Sequence, residues 1–276
     1  MPNQQLISVI IPCYNHGKYL DDAINSILEQ THHNVEILII DDGSTDDYTK
    51  RKLQSINDLK VKVFHKENGH LSSARNFGFR KTNSEFVLTL DADDKFHSTF
   101  LERALPVLLS DEKIAVVSSW AKYFGEKNNI KHLSGGGLKE FLTSNNCTAC
   151  ALIRKSVWEE VGGYDENLKG FMDWEFYINI TKRGYRIHII QEPLFFYRAH
   201  GESMISGSKK RKPELFKYIY RKHEDVYARY VTDVLYKKEK DIAILKENLK
   251  RSPYYKLGRF LLYPLIKLKR KMNFTL

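Results

Sequence analysis

The chain has only three cysteines among its 276 residues. An odd number this small makes no disulfide framework and suits a reducing cytoplasm. No apolar run approaches the ~20 residues that a membrane-spanning helix needs. The first five residues are polar, without the basic segment and apolar core of a secretory leader. No internal repeat is present. The first apolar run is not followed by Gly-x-Gly-x-x-Gly, which argues against a dinucleotide-dependent oxidoreductase. Gly135-Gly136-Gly137 lacks the Lys-Ser/Thr of a phosphate-binding loop, so the polar stretch 127–137 reads as a mobile loop. Cys147 and Cys150 have Cys-x-x-Cys spacing but no further Cys or His partners, and read as two small buried residues rather than a zinc site.

Positive charge is scarce where a nucleic-acid enzyme would need it. Residues 1–208 hold 24 Lys and Arg against 27 Asp and Glu, a net of −3, whereas residues 209–276 hold 20 against 7, a net of +13. The overall charge of +10 therefore belongs to the C-terminal quarter, and nucleic acid is not an expected partner.

What is present is an α/β pattern. Leu6 to Ile11, Val35 to Ile40, Val61 to Phe64 and Glu85 to Leu90 read as strands, and helical spacing lies between them. Strand and helix alternate as in βαβ units, which implies a mainly parallel, Rossmann-like sheet flanked by helices. Ile114 to Tyr123, Tyr185 to Ile190 and Pro193 to His200 read as further extended segments, and Phe171 to about Arg183 as a helix. Ser206 to Pro213 reads as a linker by composition. It separates a domain at 1–205 from a basic helical extension at 214–276, in which residues 254–272 interleave apolar side chains with Lys and Arg.

The stretch Val87-Leu88-Thr89-Leu90-Asp91-Ala92-Asp93-Asp94 stands out. A buried strand breaks into three carboxylates, at the edge where open α/β sheets bind ligands. Like charges this close call for something positive, most simply a divalent cation with oxygen ligands. The competing reading is an acidic turn capping a helix that starts near His97. Because parallel strands share one carboxyl edge, Asp41 and Asp42 should converge with Asp91, Asp93 and Asp94.

Five segments, taken in order, resemble family-two glycosyltransferases of the GT-A fold: Val9 to Asn15, Ile40 to Asp46, Ser73 to Gly78, Leu90 to Asp94, and Gly162 to Asp165 with Asp173-Trp174-Glu175. The resemblance covers residues 6–205, with a nucleotide-sugar part at about 1–100 and an acceptor part at about 101–205. It implies an inverting, metal-dependent transferase that takes a nucleotide-sugar, a UDP-sugar above all. Asp42, with Asp41, would accept the uracil imide N–H, and the main chain around Pro12, with Tyr14 and Asn15, would line that pocket. Arg75, near a helix start, would lie by the nucleotide. One carboxylate of Asp91, Asp93 and Asp94 would hold the ribose and the others Mn²⁺ or Mg²⁺, with Asp93 and Asp94 favoured as ligands and His200 as a helper.

By the same resemblance Asp173 is the general base. Met172 stands where the family often has an acidic residue, which makes Glu175 a second candidate. Tyr164 and Trp174, with Trp158, would shape the acceptor side. The acceptor would be a glycan or lipid-linked molecule in surface polysaccharide synthesis. The protein would then be cytoplasmic or peripheral at the inner face of the membrane, docked on anionic lipid through 254–272. A sugar-phosphate nucleotidyltransferase would instead need a glycine-rich N-terminal loop with basic residues, unlike Pro12-Cys13-Tyr14-Asn15. A non-catalytic basic binding protein fits the tail but not the acidic remainder.

Overall fold

The computed structural model describes residues 5–200, 204–253 and 255. In the first part of the chain strands and helices alternate: β1 (Ile7–Cys13), α1 (Leu20–Leu28), β2 (Val35–Asp41), α2 (Asp47–Gln54), β3 (Val61–His65), α3 (His70–Lys81) and β4 (Phe86–Thr89). The four strands are parallel in the order β3-β2-β1-β4, with Cys13 opposite Asp41 and Ile10 opposite Thr89. Every residue of β1 and β4 is buried, as expected of predominantly apolar strands covered on both faces. Helix α3 lies close on β1. A Cβ at Gly78 would fall 2.6 Å from Ile10 Cγ2, so only glycine allows this approach. The carboxyl ends of the four strands form one edge, and the acidic loops leave from it.

The second part contains β5 (Lys95–Phe96), α4 (Phe100–Ser110), β6 (Ile114–Gly125), β7 (Ile130–Lys131), α5 (Leu138–Thr143), β8 (Leu152–Arg154), α6 (Lys155–Val161), α7 (Met172–Lys182), β9 (Arg186–Ala199), α8 (Met204–Lys222) and α9 (Glu224–Arg229). Its strands extend the same sheet to β3-β2-β1-β4-β8-β6-β9-β5, and β7 pairs with β6. Short β8 runs antiparallel to both β4 and β6, while β6 and β9 are parallel. The sheet is thus parallel on one side and mixed on the other.

Three sequence expectations are corrected. The two extended segments after Tyr185 form one strand, β9, and Pro193 sits where the pairing with β6 shifts register between Ser119 and Ala121. The glycine run is ordered against β9: Gly136 N donates to Ile187 O at 2.9 Å, and a Cβ at Gly135 would lie 2.4 Å from that same oxygen. Glycine there serves close backbone approach, not mobility. The linker at 206–213 lies inside α8, which carries Pro213 and buries Leu215 and Ile219 four residues apart on one face. Packing by that face overrides the linker-like composition.

One compact unit accordingly extends to Tyr227, and a second comprises Ala228–Leu276. In the second, α10 (Val231–Arg251) is helical as its spacing suggests. Of the amphipathic stretch 254–272 only Tyr255 is described, and the rest lies outside the described residues. Among the described residues no helix is long and apolar enough to cross a membrane.

Candidate active site

The turn after β4 gathers the acidic cluster. Asp94 N bonds to Asp91 O at 3.1 Å, and Asp94 is turned inward, 2% exposed, accepting the amide of Arg198 at 2.8 Å. Burial, with Asp93 and Asp91 as neighbours, pushes its carboxyl well above the usual range. Asp91, Asp94 and Cys150 each offer a ligand atom within 4.8 Å of the others. Two carboxylates suit Mg²⁺ or Mn²⁺, while burial raises the Cys150 thiol and keeps it a poor ligand for such hard cations. Asp93, favoured from sequence, turns elsewhere. Its Oδ2 lies 2.9 Å from His200 Nε2, so the structure groups Asp91, rather than Asp93, with Asp94.

His200 stacks on Tyr19 at 5.6 Å between centroids. Arg198 lies over the rings of Tyr19 and Phe124, donates Nε to Asp93 O at 2.8 Å and pairs with Asp22. Arg198 thereby ties β9 to the acidic turn. It was not singled out from sequence, although it stands two residues before His200.

The second acidic loop follows β2. Asp41 uses both oxygens, one on Ser44 N at 2.9 Å and one near His65 Nδ1 at 2.9 Å. Asp42 accepts Lys66 Nζ at 2.7 Å and Gly69 N at 3.0 Å on Oδ1, and its Oδ2 accepts nothing from the described residues. Asn15, at φ 57°, locks the loops after β1 and β2 together: its Oδ1 takes the amides of Thr45 and Asp46 at 2.8 and 3.2 Å. Pro12 is buried in β1 opposite Ile40, and Tyr14 beside it is 45% exposed. These residues lie together where β1 and β2 end.

Arg75 is placed differently from the expected open helix start. It is the sixth residue of α3 and fully buried, with Nη2 donating to Asp91 Oδ1 at 2.6 Å and its guanidinium 5.4 Å from the Tyr164 ring centroid. Burial opposes its charge, but Asp91 first, and Asp173 further off, hold its pKa above the ordinary value. Among the described residues, Nε and Nη1 have no hydrogen-bond partner. Arg75 is thus a buried charge held by the acidic turn through Asp91.

Asp173 lies in the first turn of α7, where a carboxylate is favoured by the helix dipole, and Asn145 Nδ2 donates to its Oδ2 at 2.6 Å. Neighbouring Asn76 joins α3 to the loop before α7. Its Oδ1 accepts Trp158 Nε1 at 3.2 Å and Tyr164 N at 2.9 Å, and its Nδ2 donates to Tyr164 O at 2.8 Å and Glu166 Oε1 at 2.9 Å. Sequence reasoning passed over Asn76 and Asn145. The first follows Arg75 directly; nothing marks the second.

Glu175, the second candidate base, is corrected. It is fully buried, with Oε1 2.9 Å from both Lys222 Nζ, at the end of α8, and His223 Nε2, in the turn that follows. Tyr164 and Trp174 are corrected as acceptor-lining residues. Tyr164 stacks on Phe176 at 4.1 Å, and Trp174 donates Nε1 to Phe141 O at 2.6 Å, so both serve packing. Trp158 likewise stacks on Phe79 at 4.8 Å.

A family model described as Glycosyl transferase family 2 matches residues 8–162. An uncharacterized glycosyltransferase of Rickettsia conorii is 31% identical over 218 residues, covering 74% of this chain and 35% of that protein. Another, from a Nostoc species, is 33% identical over 214 residues, covering 71% of this chain and 65% of its own. The chain thus spans about a third of the Rickettsia protein's length. Among solved structures, S. aureus TarS 1-349 in complex with UDP superposes with a TM-score of 0.62 at 22% identity, covering 79% of this chain and 64% of that one. The same protein in complex with UDP-GlcNAc gives 0.61 at 22% identity, covering 73% and 61%. The likeness to TarS is one of fold, in agreement with the GT-A architecture.

Proposed function

The chain belongs to glycosyl transferase family 2, and from that premise we propose that it transfers a sugar from a UDP-sugar to a hydroxyl of a glycan or lipid-linked acceptor, inverting the anomeric centre. The observation that carries this reading is Arg75. Asp91 holds one buried guanidinium at 2.6 Å, and Asp173 is among the further charges that favour its ionised form, which supports a donor-side carboxylate and a base candidate sharing one electrostatic environment. Asp173 takes the acceptor proton as the hydroxyl attacks the anomeric carbon. A single displacement of this kind inverts the configuration.

Uridine recognition is supported by the unengaged Oδ2 of Asp42, an acceptor for an imide N–H, and by the UDP and UDP-GlcNAc complexes of the fold relative. Asp91 and Asp94 would hold Mn²⁺ or Mg²⁺. When bound, such a cation neutralises charge building on the diphosphate leaving group. Asp93 and His200, hydrogen-bonded together, sit beside that place and suit the ribose or diphosphate. The alternation of Lys and Arg with apolar side chains over 254–272 supports docking at an anionic membrane surface, where surface polysaccharide is made. Incubation with UDP-sugars and glycan or lipid-linked acceptors, followed by NMR of the product, tests the reading. Acceptor-dependent UDP release with an inverted anomer is expected; a retained anomer contradicts the role given to Asp173.

A further inference from the structure

Resting on the assignment of Asp173 as base, we infer that α8 positions it, through Phe216 and Lys222 with the adjoining His223. Two ring contacts bracket Asp173. Phe216 packs edge-on against Phe171 at 5.0 Å and against Trp174 at 4.8 Å, the residues on either side of the Met172-Asp173 pair. Phe171 caps α7 in the left-handed region at φ 57°, a conformation that persists in a bulky residue only when its surroundings impose it. Phe216 is part of that imposition.

The charges act on the same turn from below. Lys222 Nζ lies 2.9 Å from Glu175 Oε1 on α7 and 2.6 Å from Asp165 Oδ2 in the preceding loop. One ammonium therefore links the helix that carries the base to the loop that carries Tyr164, the ring beneath Arg75. Tyr218 OH adds a bond to Asp165 Oδ2 at 2.9 Å, and His223 Nε2 adds one to Glu175 Oε1 at 2.9 Å. The Lys222–Glu175 pair is buried only on its Glu175 side, and among the described residues Glu175 Oε2 and His223 Nδ1 have no partner. Its directional effect is to fix the register of α7 against α8. Asn145 separately donates to Asp173 Oδ2 at 2.6 Å, a direct support for the carboxylate beside the indirect one from α8. Lys222 and Phe216 lie beyond residues 8–162, the part that the family model matches.

The experiment compares wild type, Lys222→Met, Lys222→Arg and Phe216→Leu for kcat, for KM of the UDP-sugar and for UDP affinity by calorimetry. A base displaced by about 1 Å loses up to roughly 100-fold in rate. The expected result is a kcat at least about tenfold lower in Lys222→Met, with UDP affinity within about twofold of wild type and most of the rate restored by Lys222→Arg. If Lys222→Met no longer binds UDP, Phe216→Leu, which keeps the charges, must show the same split. A folded variant with wild-type kcat overturns the inference alone. A wild-type protein that transfers from no UDP-sugar overturns the base assignment and the inference together.

Discussion

Arg75 reaches Asp91 across 2.6 Å from a position with no exposed surface. The contact joins α3 to the turn after β4 and supplies one positive charge under a cluster of three aspartates. Lysine in its place would keep the charge but lose the planar fork that fixes its direction. Arg75→Lys is expected to lower turnover by about tenfold or more, and Arg75→Met to cost about 1–3 kcal/mol, since the Asp91 carboxylate it leaves unpaired is partly exposed. Urea unfolding of the two variants separates these effects. Wild-type stability in Arg75→Met would mean that Asp91 does not depend on the pair.

Asn76 makes four hydrogen bonds to three residues, two accepted and two donated. Asn76→Ala leaves the Trp158 indole N–H and the Tyr164 amide buried and unpaired, each worth about 1–3 kcal/mol. A loss of about 2–4 kcal/mol in chemical denaturation is expected. A loss under about 1 kcal/mol would show that the loop before α7 does not rely on this hub.

Gly78 tests the contact between α3 and β1. The added methyl of Gly78→Ala meets Ile10 Cγ2 at 2.6 Å, and overpacking of this kind costs about 1–3 kcal/mol despite the better helix propensity of alanine. Stabilisation by Gly78→Ala would contradict the packing described.

Asp165 gives a pH dependence. Burial opposes its ionised form, but the bonds from Lys222, Asn167 N and Tyr218 outweigh it and hold the carboxyl below its ordinary value. A carboxylate depressed in the folded state contributes stability above its unfolded pKa of about 3.9, and that contribution is lost as pH falls through the folded value. Thermal melts of wild type should therefore fall more steeply below about pH 4 than those of Asp165→Asn. Parallel curves would remove Asp165 from the α8 clamp.

The first half of the fold was legible because its strands are self-contained signals: Val9-Ile10-Ile11 and Leu38-Ile39-Ile40 are aliphatic runs that a parallel sheet buries on both faces. Strands β5 and β8, two and three residues long, carry no such period and exist because long neighbours pair with them. The helix over 206–213 has no local signal for a similar reason, since Leu215 and Ile219 beyond it anchor a stretch with linker composition.

In the site, the spacing of Asp41, Asp42, Asp91, Asp93 and Asp94 placed the carboxylates on one sheet edge. Which way each one turned depended on partners remote in sequence: Arg198 for Asp94, His200 for Asp93, Lys222 for Glu175. Those pairings follow from the course of β9 and α8, and no local pattern encodes them.

The most direct measurement of the central claim is acceptor-dependent UDP release by wild type and Asp173→Asn, with UDP affinity determined in parallel. Removing a general base costs about 10²–10⁴ in kcat. A fall in that range with unchanged UDP affinity is the predicted result. Undiminished UDP release in a folded Asp173→Asn protein would contradict it.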